Sequence, residues 1–283
     1  MKIEFVSKLD TMMLKDFILE MGVSRAFARR VKLYGKMYIN DVLSKNYFLV
    51  KKGDRVTLEY DEAQNEAINV VKEELDICYE DEHLLVLNKP KNLASQPSRL
   101  HQFDNIISFV KAYFIEKGIN TNIHLVNRLD YSTSGLLIIA KDGYTHHALS
   151  KVEIKRKYLA VVKGHLDKKE DEVRLKIDRV EAHNIKRWVM ETGKEAITIY
   201  KVLKEYSDSS LVDVELKTGR THQIRVTFSY LNHPVLGDKL YGEGEDLMLH
   251  CYYLKFKDPY SNSYIEVKKA PNWENYIENS DNF

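Results

Sequence analysis

Cysteine is nearly absent. Cys78 and Cys251 stand far apart and fit neither a CxxC nor a Cys/His ligand spacing, which argues against a disulfide framework and against a zinc site. A reducing compartment and a cytoplasmic location are the expectation. Long apolar runs are missing too: nothing approaches the roughly 18 residues that cross a bilayer. The opening MKIEFVSKLDTMMLKDF lacks the basic start, apolar centre and small-residue cleavage site of a signal peptide. Charge of one sign is also lacking, since 43 Lys and Arg against 42 Asp and Glu leave a net charge of +1. With no bulk basic excess, a nucleic-acid partner would have to be held by a locally basic face. No internal repeat or low-complexity tract interrupts the chain.

What is there suits an ordered, globular protein of 283 residues, 44% hydrophobic and 30% charged, with one large domain and a smaller one. Near the N-terminus, Leu14, Phe17, Ile18 and Met21 recur at helical spacing and Gly22 follows as a stop. Ser24 can cap a second helix, RAFARRVKLYGK, which carries Arg25, Arg29, Arg30, Lys32 and Lys36 with no acid between residues 22 and 40. Arg25, Arg29 and Lys32 lie at i, i+4 and i+7, so one face is a cationic stripe. A solvated helix face is the plain alternative, and the missing acids weigh against it. Turns at Asn40-Asp41 and Gly53-Asp54 frame short strands and complete a helix-helix-strand unit. The acidic stretch DEAQNEAINVVKEELD (61–76) contains no Gly or Pro and marks a boundary. The expected organisation is therefore a module over residues 1–62, an acidic linker over 63–76 and a large domain over 77–283.

From residue 77 the pattern becomes short β-like runs: ICYE, LLVLNKP, LLIIAK, YLAVVKG, AITIYKVLKEY, SLVDVELKT and YIEVKKA. Helical stretches at about 104–117, 142–151 and 221–232 interrupt them too irregularly for βαβ repeats. An α+β domain on a mixed, mostly antiparallel sheet follows. In the run before Gly219, Val212, Val214 and Leu216 face one way and Asp213, Glu215 and Lys217 the other. Thr221 is then the expected cap of a helix that points Ile224, Phe228 and Leu231 inward. Arg220 and Arg225 near the start of that helix oppose its dipole, so a carboxylate, an RNA phosphate or both should compensate them. RLDYSTSG, ahead of an apolar strand, offers Asp130 as the carboxylate, although capping the next turn would also account for an aspartate there. His146-His147 lack a spaced partner, and Trp188 and Trp273 read as packing residues.

NRLDYSTSGLLIIAK, KRKYLAVVKG and LKTGRTHQIRV, preceded by YEDEHLLVLNKPKNLASQPS and followed by NHPVLGDKLYG, resemble the RNA pseudouridine synthases of the RluA type over roughly residues 70–272. Residues 10–60 resemble the alpha-L RNA-binding module named for a ribosomal small-subunit protein, a familiar attachment in that family. The resemblance implies a cofactor-free, metal-free isomerisation of uridine with Asp130 as nucleophile. It implies that Tyr158 packs on the target base and helps move its C5 proton, that Arg225 pairs with Asp130, and that Leu129 and Ile224 wall the pocket. Arg128 would contact RNA near the flipped nucleotide, Arg220 would add a further contact, and the stripe of Arg25, Arg29, Arg30, Lys32 and Lys36 would meet phosphates.

The chemistry agrees with that reading. A stacked uracil cannot be reached, so it must be extruded, at a cost of roughly a few kcal/mol, onto an aromatic face. The carboxylate attacks at C1′ or at C6, oriented by a guanidinium, and the detached base must rotate where water is excluded. Asn127 and Gln96 stand where the family usually has His, and Thr227-Phe228 replace its usual VH; these bear on RNA contacts and target. A non-catalytic RNA-binding factor would be expected to lose Asp130, Tyr158 or Arg225, and all three are present. A nucleosidase would need a second carboxylate in the pocket, and none is expected from these motifs. The expected partner is structured RNA, first of all large-subunit ribosomal RNA, with transfer RNA as the alternative, and the expected state is a monomer without membrane contact.

Overall fold

In this computed structural model, residues 2–61, 65–181 and 185–273 are described. Strand β1 (Lys2–Val6) alternates in burial, and the N-terminal unit continues through β2 (Met12–Met13), α1 (Leu14–Glu20), α2 (Arg25–Tyr34), β3 (Lys36–Ile39), β4 (Val42–Leu43), β5 (Leu49–Val50) and β6 (Arg55–Glu59). Ser24 caps α2 as expected, its hydroxyl accepting from the Phe27 amide at 3.1 Å. Asn40 and Asp41 both take left-handed backbone angles, which is what a tight hairpin between β3 and β4 demands. Leu14, Phe17, Val31, Val56 and Leu58 are completely buried beneath the sheet β1-β6-β3-β4.

The second part runs β7 (Ile77–Glu80), β8 (Leu84–Lys89), α3 (Ile106–Glu116), β9 (His124–Leu125), β10 (Ser134–Ala140), α4 (Gly143–Leu149), β11 (Lys155–Lys163), β12 (Glu170–Asp178), β13 (Trp188–Val189), β14 (Lys194–Glu205), β15 (Ser209–Leu216), α5 (Gln223–Tyr230), β16 (Leu249–Lys257) and β17 (Tyr264–Lys268). These strands form one 11-stranded sheet in the order β13-β12-β14-β15-β11-β16-β10-β8-β7, with β17 on β16 and β9 on β10. Its pairs are antiparallel except β10 with β16, so the expected mixed, mostly antiparallel sheet is present. Four strands of this part were not foreseen: β9, β12, β13 and β16. The acidic stretch falls partly outside the described residues; in its described part, Lys111 of α3 donates to the carbonyls of Asn65 and Ile68 and ties the segment down.

The two parts meet at an aromatic cluster. Tyr144 of α4 lies edge-on to Phe5 at 5.8 Å and beside Phe27 at 6.2 Å, and Tyr260 packs on its other side at 5.8 Å. Lys151 adds a hydrogen bond to the Gly22 carbonyl. Among the described residues no helix is long and apolar enough to cross a membrane.

At the parallel junction, Gly135 adopts φ +114° with its Cα against the Cys251 backbone, where a Cβ would meet the Cys251 carbonyl oxygen at 2.3 Å. Glycine alone permits that approach. Gly135→Ala should cost about 2–4 kcal/mol, from strain at positive φ and from prising the two strands apart, and a denaturant-unfolding midpoint will measure it.

Candidate active site

The segment carrying Asp130 is held from below. The Ser95 hydroxyl donates to the Leu129 carbonyl at 2.6 Å and accepts from the Leu129 amide at 3.1 Å, a two-way clamp on the residue before the aspartate. Lys89, fully buried at the end of β8, donates to the carbonyls of Pro90, Leu93 and Tyr131 and fixes the residue after it. Burial pushes the Lys89 ammonium down to about 7, and the charge of Asp130 opposes that shift. Asn127 is tied to β10, its carboxamide oxygen accepting from the Ile138 amide at 2.7 Å. The Thr133 amide donates to the Asp130 carbonyl, making the turn into β10.

So mounted, the Asp130 side chain remains 28% exposed and faces the start of α5. Arg225 Nη1 lies 3.7 Å from Asp130 Oδ2 and His222 Nε2 lies 3.8 Å from the same oxygen. A cavity of about 60 Å³ opens beside them, walled by Leu129, Tyr158, Ile224 and Leu249, with Arg128 and Arg220 at its rim. Tyr158 is placed by β11, paired on one side with Val214 and on the other with Cys251. Burial holds its phenol well above the ordinary value, so it stays protonated near neutral pH.

The compensation expected for Arg225 is found, but its main partner is a different carboxylate. Nε and Nη2 of Arg225 make a two-pronged pair with Asp238, both at 2.7 Å, and Asp238 is fully buried. Asp238 also accepts from the amides of Leu240 and Tyr241. Burial works against its ionised form, yet the Arg225 hydrogen bonds and charge outweigh that and hold its carboxyl below the ordinary value. A second carboxylate therefore does stand behind the pocket, contrary to expectation. Its oxygens are occupied and it lies behind Arg225, so the paired-carboxylate chemistry of a nucleosidase is not available to it.

Other expectations change as well. Thr221 is exposed and does not cap α5. His222 takes that position in the left-handed conformation, φ +58°, without a side-chain cap, and the Gln223 carboxamide instead accepts from the Arg220 amide and the Thr218 hydroxyl. Arg220 is turned toward protein, its Nε donating to the Glu195 carbonyl at 2.9 Å. Trp188 is 44% exposed with Lys186 over its ring, so it is no core residue, whereas Trp273 is buried. His222 and Tyr241 were missed, although both sit inside quoted motifs. The Tyr241 hydroxyl lies 2.9 Å from His222 Nδ1 and accepts from the Arg187 amide at 2.7 Å, and its ring lies under the Arg225 guanidinium at 5.2 Å.

The stripe residues Arg25, Arg29, Arg30, Lys32 and Lys36 are exposed, and Arg25, Arg29 and Lys32 border a cavity of about 360 Å³ with Lys15 and Asn46. A larger cavity, about 780 Å³, is bordered by Lys91, His250, Lys269 and Trp273. Its Ser134–His250 hydrogen bond ties β10 to β16, and burial pushes His250 down to about 4, too weak a base for work near neutral pH. Among the described residues no cluster of three His, Cys, Asp or Glu suits a metal ion.

A carboxylate presented to a small aromatic-walled cavity, with guanidinium groups at its rim, is chemistry for one flat base carried on a polyanion. It defines an enzyme acting on a base of a nucleic acid. Residues 83–230 match the family described as RNA pseudouridylate synthase. A Bacillus subtilis relative, "Uncharacterized RNA pseudouridine synthase YjbO", is 36% identical over 88% of this chain and 91% of its own. "Ribosomal large subunit pseudouridine synthase D" of Borreliella burgdorferi is 36% identical over 75% and 70%. The solved human "RNA Pseudouridylate Synthase Domain Containing 1" superposes with a TM-score of 0.58 at 26% identity, covering 70% of this chain and 84% of that one. The chain belongs to the RNA pseudouridine synthase family, RluA type, and isomerises uridine to pseudouridine in RNA.

Proposed function

We propose that Asp130 is the nucleophile of this isomerisation, acting on a uridine flipped into the cavity against Tyr158, and that the substrate is a structured RNA, large-subunit ribosomal RNA first of all. The observation that carries the reading is the approach of Arg225 to Asp130 at the mouth of a cavity walled by Tyr158. The net change stays within one nucleotide: the N1–C1′ bond breaks, a C5–C1′ bond forms, C5 loses a proton and N1 gains one. In either route a carboxylate oxygen bonds to carbon. At C1′ the N1–C1′ electron pair leaves with the base; at C6 the C5=C6 pair moves onto the ring. The same carbon–oxygen bond breaks at the end. Tyr158 stacks on the base, and its phenol helps move the C5 proton only by passing on its own as it takes that one up, so that the phenol is unchanged at the end and the proton gained is, in net, the one on N1. Leu129, Ile224 and Leu249 keep water from capturing the intermediate.

Ribosomal RNA is favoured by the name of the Borreliella relative and by the basic face of α2, which suits a large folded RNA. A map of pseudouridine in ribosomal and transfer RNA, from cells with and without the gene, tests the target. Discrete large-subunit sites should vanish and return on complementation; loss confined to transfer RNA would overturn the ribosomal assignment.

We assign the α2 face to phosphate contact. Reversing Arg25 and Arg29 to Glu should weaken RNA binding and lower the magnitude of its log–log salt slope by roughly 1 to 2. Turnover at saturating RNA should hold. A filter-binding titration at several salt concentrations checks it, and an unchanged slope would mean the stripe is only solvated.

A further inference from the structure

Two donors converge on one oxygen of Asp130. Arg225 Nη1 and His222 Nε2 both address Oδ2, at 3.7 and 3.8 Å, and among the described residues no ion pair is made to the other oxygen. Both distances are longer than a hydrogen bond, so the two groups draw Oδ2 to their side by charge and dipole and would close on it once substrate is bound; the other oxygen is then the one that can bond to carbon.

His222 can serve as such a donor only if its proton sits on Nε2. We assign it there from the hydrogen-bond network. Tyr241 already accepts the Arg187 amide at 2.7 Å, so the phenol has its own proton to give, and the acceptor within reach is His222 Nδ1 at 2.9 Å. Nδ1 is thereby an acceptor and Nε2 carries the hydrogen, directed at the nucleophile. The groups facing the imidazole are Asp130, Arg225, Arg187, Asp238 and Tyr241; burial, aided by the two guanidinium groups and opposed by Asp130, keeps the ring neutral at pH 7. The left-handed backbone at His222 fits this use, since strain at a residue that caps nothing calls for another reason to persist.

We propose that Tyr241 and His222 are positioning residues for the isomerisation: Tyr241 fixes the His222 tautomer, and His222 together with Arg225 holds one Asp130 oxygen so that the other attacks. This rests on the reading of Asp130 as nucleophile. Tyr241 is the more informative residue, because its ring supports Arg225 while only its hydroxyl reaches His222.

The test is a double-mutant cycle of Tyr241→Phe and His222→Gln. Single-turnover pseudouridine formation is followed on RNA isolated from cells lacking the gene. Tyr241→Phe keeps the ring and should slow turnover roughly tenfold with little change in the RNA concentration for half-saturation. His222→Gln should cost at least as much, and the double variant no more than His222→Gln alone, because the hydroxyl acts through the imidazole. Multiplying effects, or a Tyr241→Phe variant as fast as wild type, would overturn the proposal. Thermal unfolding of each variant separates misfolding from mispositioning; should His222→Gln not fold, Tyr241→Phe alone still decides. Asp130→Asn in the same assay keeps the two readings apart: if it retains turnover the nucleophile assignment fails, whereas an inactive Asp130→Asn beside an unimpaired Tyr241→Phe refutes only the positioning role.

Discussion

Asp130→Asn should abolish pseudouridine formation, by roughly 10⁴-fold or more, as expected when a covalent nucleophile is removed from otherwise intact machinery. The carboxamide has the volume of the carboxylate but cannot attack carbon as an anion. Little else should change. Asp130 is partly exposed, its contacts to Arg225 and His222 are long, and Arg225 keeps its two-pronged partner Asp238, so no buried charge is left alone. RNA affinity and the unfolding midpoint should stay near wild type. Rate, affinity and stability measured on one preparation check all three, and comparable residual turnover would remove Asp130 from the chemistry.

Asp238→Asn should be worse for the fold than for any single contact at the surface. Arg225 is buried, and its Nε and Nη2 would then face a neutral amide whose NH₂ opposes them. Breaking a buried pair by removing one partner costs about 3–5 kcal/mol. Activity should fall by roughly 10²-fold in the fraction that folds, since a released guanidinium can turn fully onto Asp130 and occupy the oxygen needed for attack. The pH dependence has a defined sign. Asp238 has a folded value below its ordinary 3.8, so its contribution is fully present above that value and is lost as pH falls through the lower, folded one. Wild type should lose stability across that acid window while Asp238→Asn lacks that component, which paired unfolding curves at pH 2 to 6 would show.

Much of this could be read from the chain because local patterns agree with their tertiary setting. The strands around Ile138, Val161 and Val212 are apolar where both faces are covered, and Ser24 caps a helix with its own hydroxyl. The residues that meet at the candidate site, Asp130, Tyr158 and Arg225, could be picked out in the same way, from the motifs that carry them. What was not legible depends on distance. β12 does alternate, Val173, Leu175 and Ile177 against Glu172, Arg174 and Lys176, yet its charges on the open face masked the period. Asp238 is one acid in a loop, and only folding shows that it sits behind Arg225, 13 residues earlier. Thr221 looked like a cap because sequence cannot show that His222 would turn left-handed.

The order of strands also governs when this enzyme comes into being. Asp130 precedes β10, while Tyr158, His222 and Arg225 belong to the half of the sheet built on β11, β14 and β15, and the two halves touch through β16, drawn from residues 249–257. A chain emerging from the ribosome can fold each half early, through hairpins such as β7–β8 and β14–β15. It cannot join them until most of its length has been made. The separation of β10 from β16 is a long loop to close, so this pairing is expected to form after the hairpins. Until then β10 and β11 each present an unpaired apolar edge, open to pairing with another chain. Nascent chains stalled before residue 249 should therefore hold two formed half-sheets in which Asp130 does not yet face Arg225.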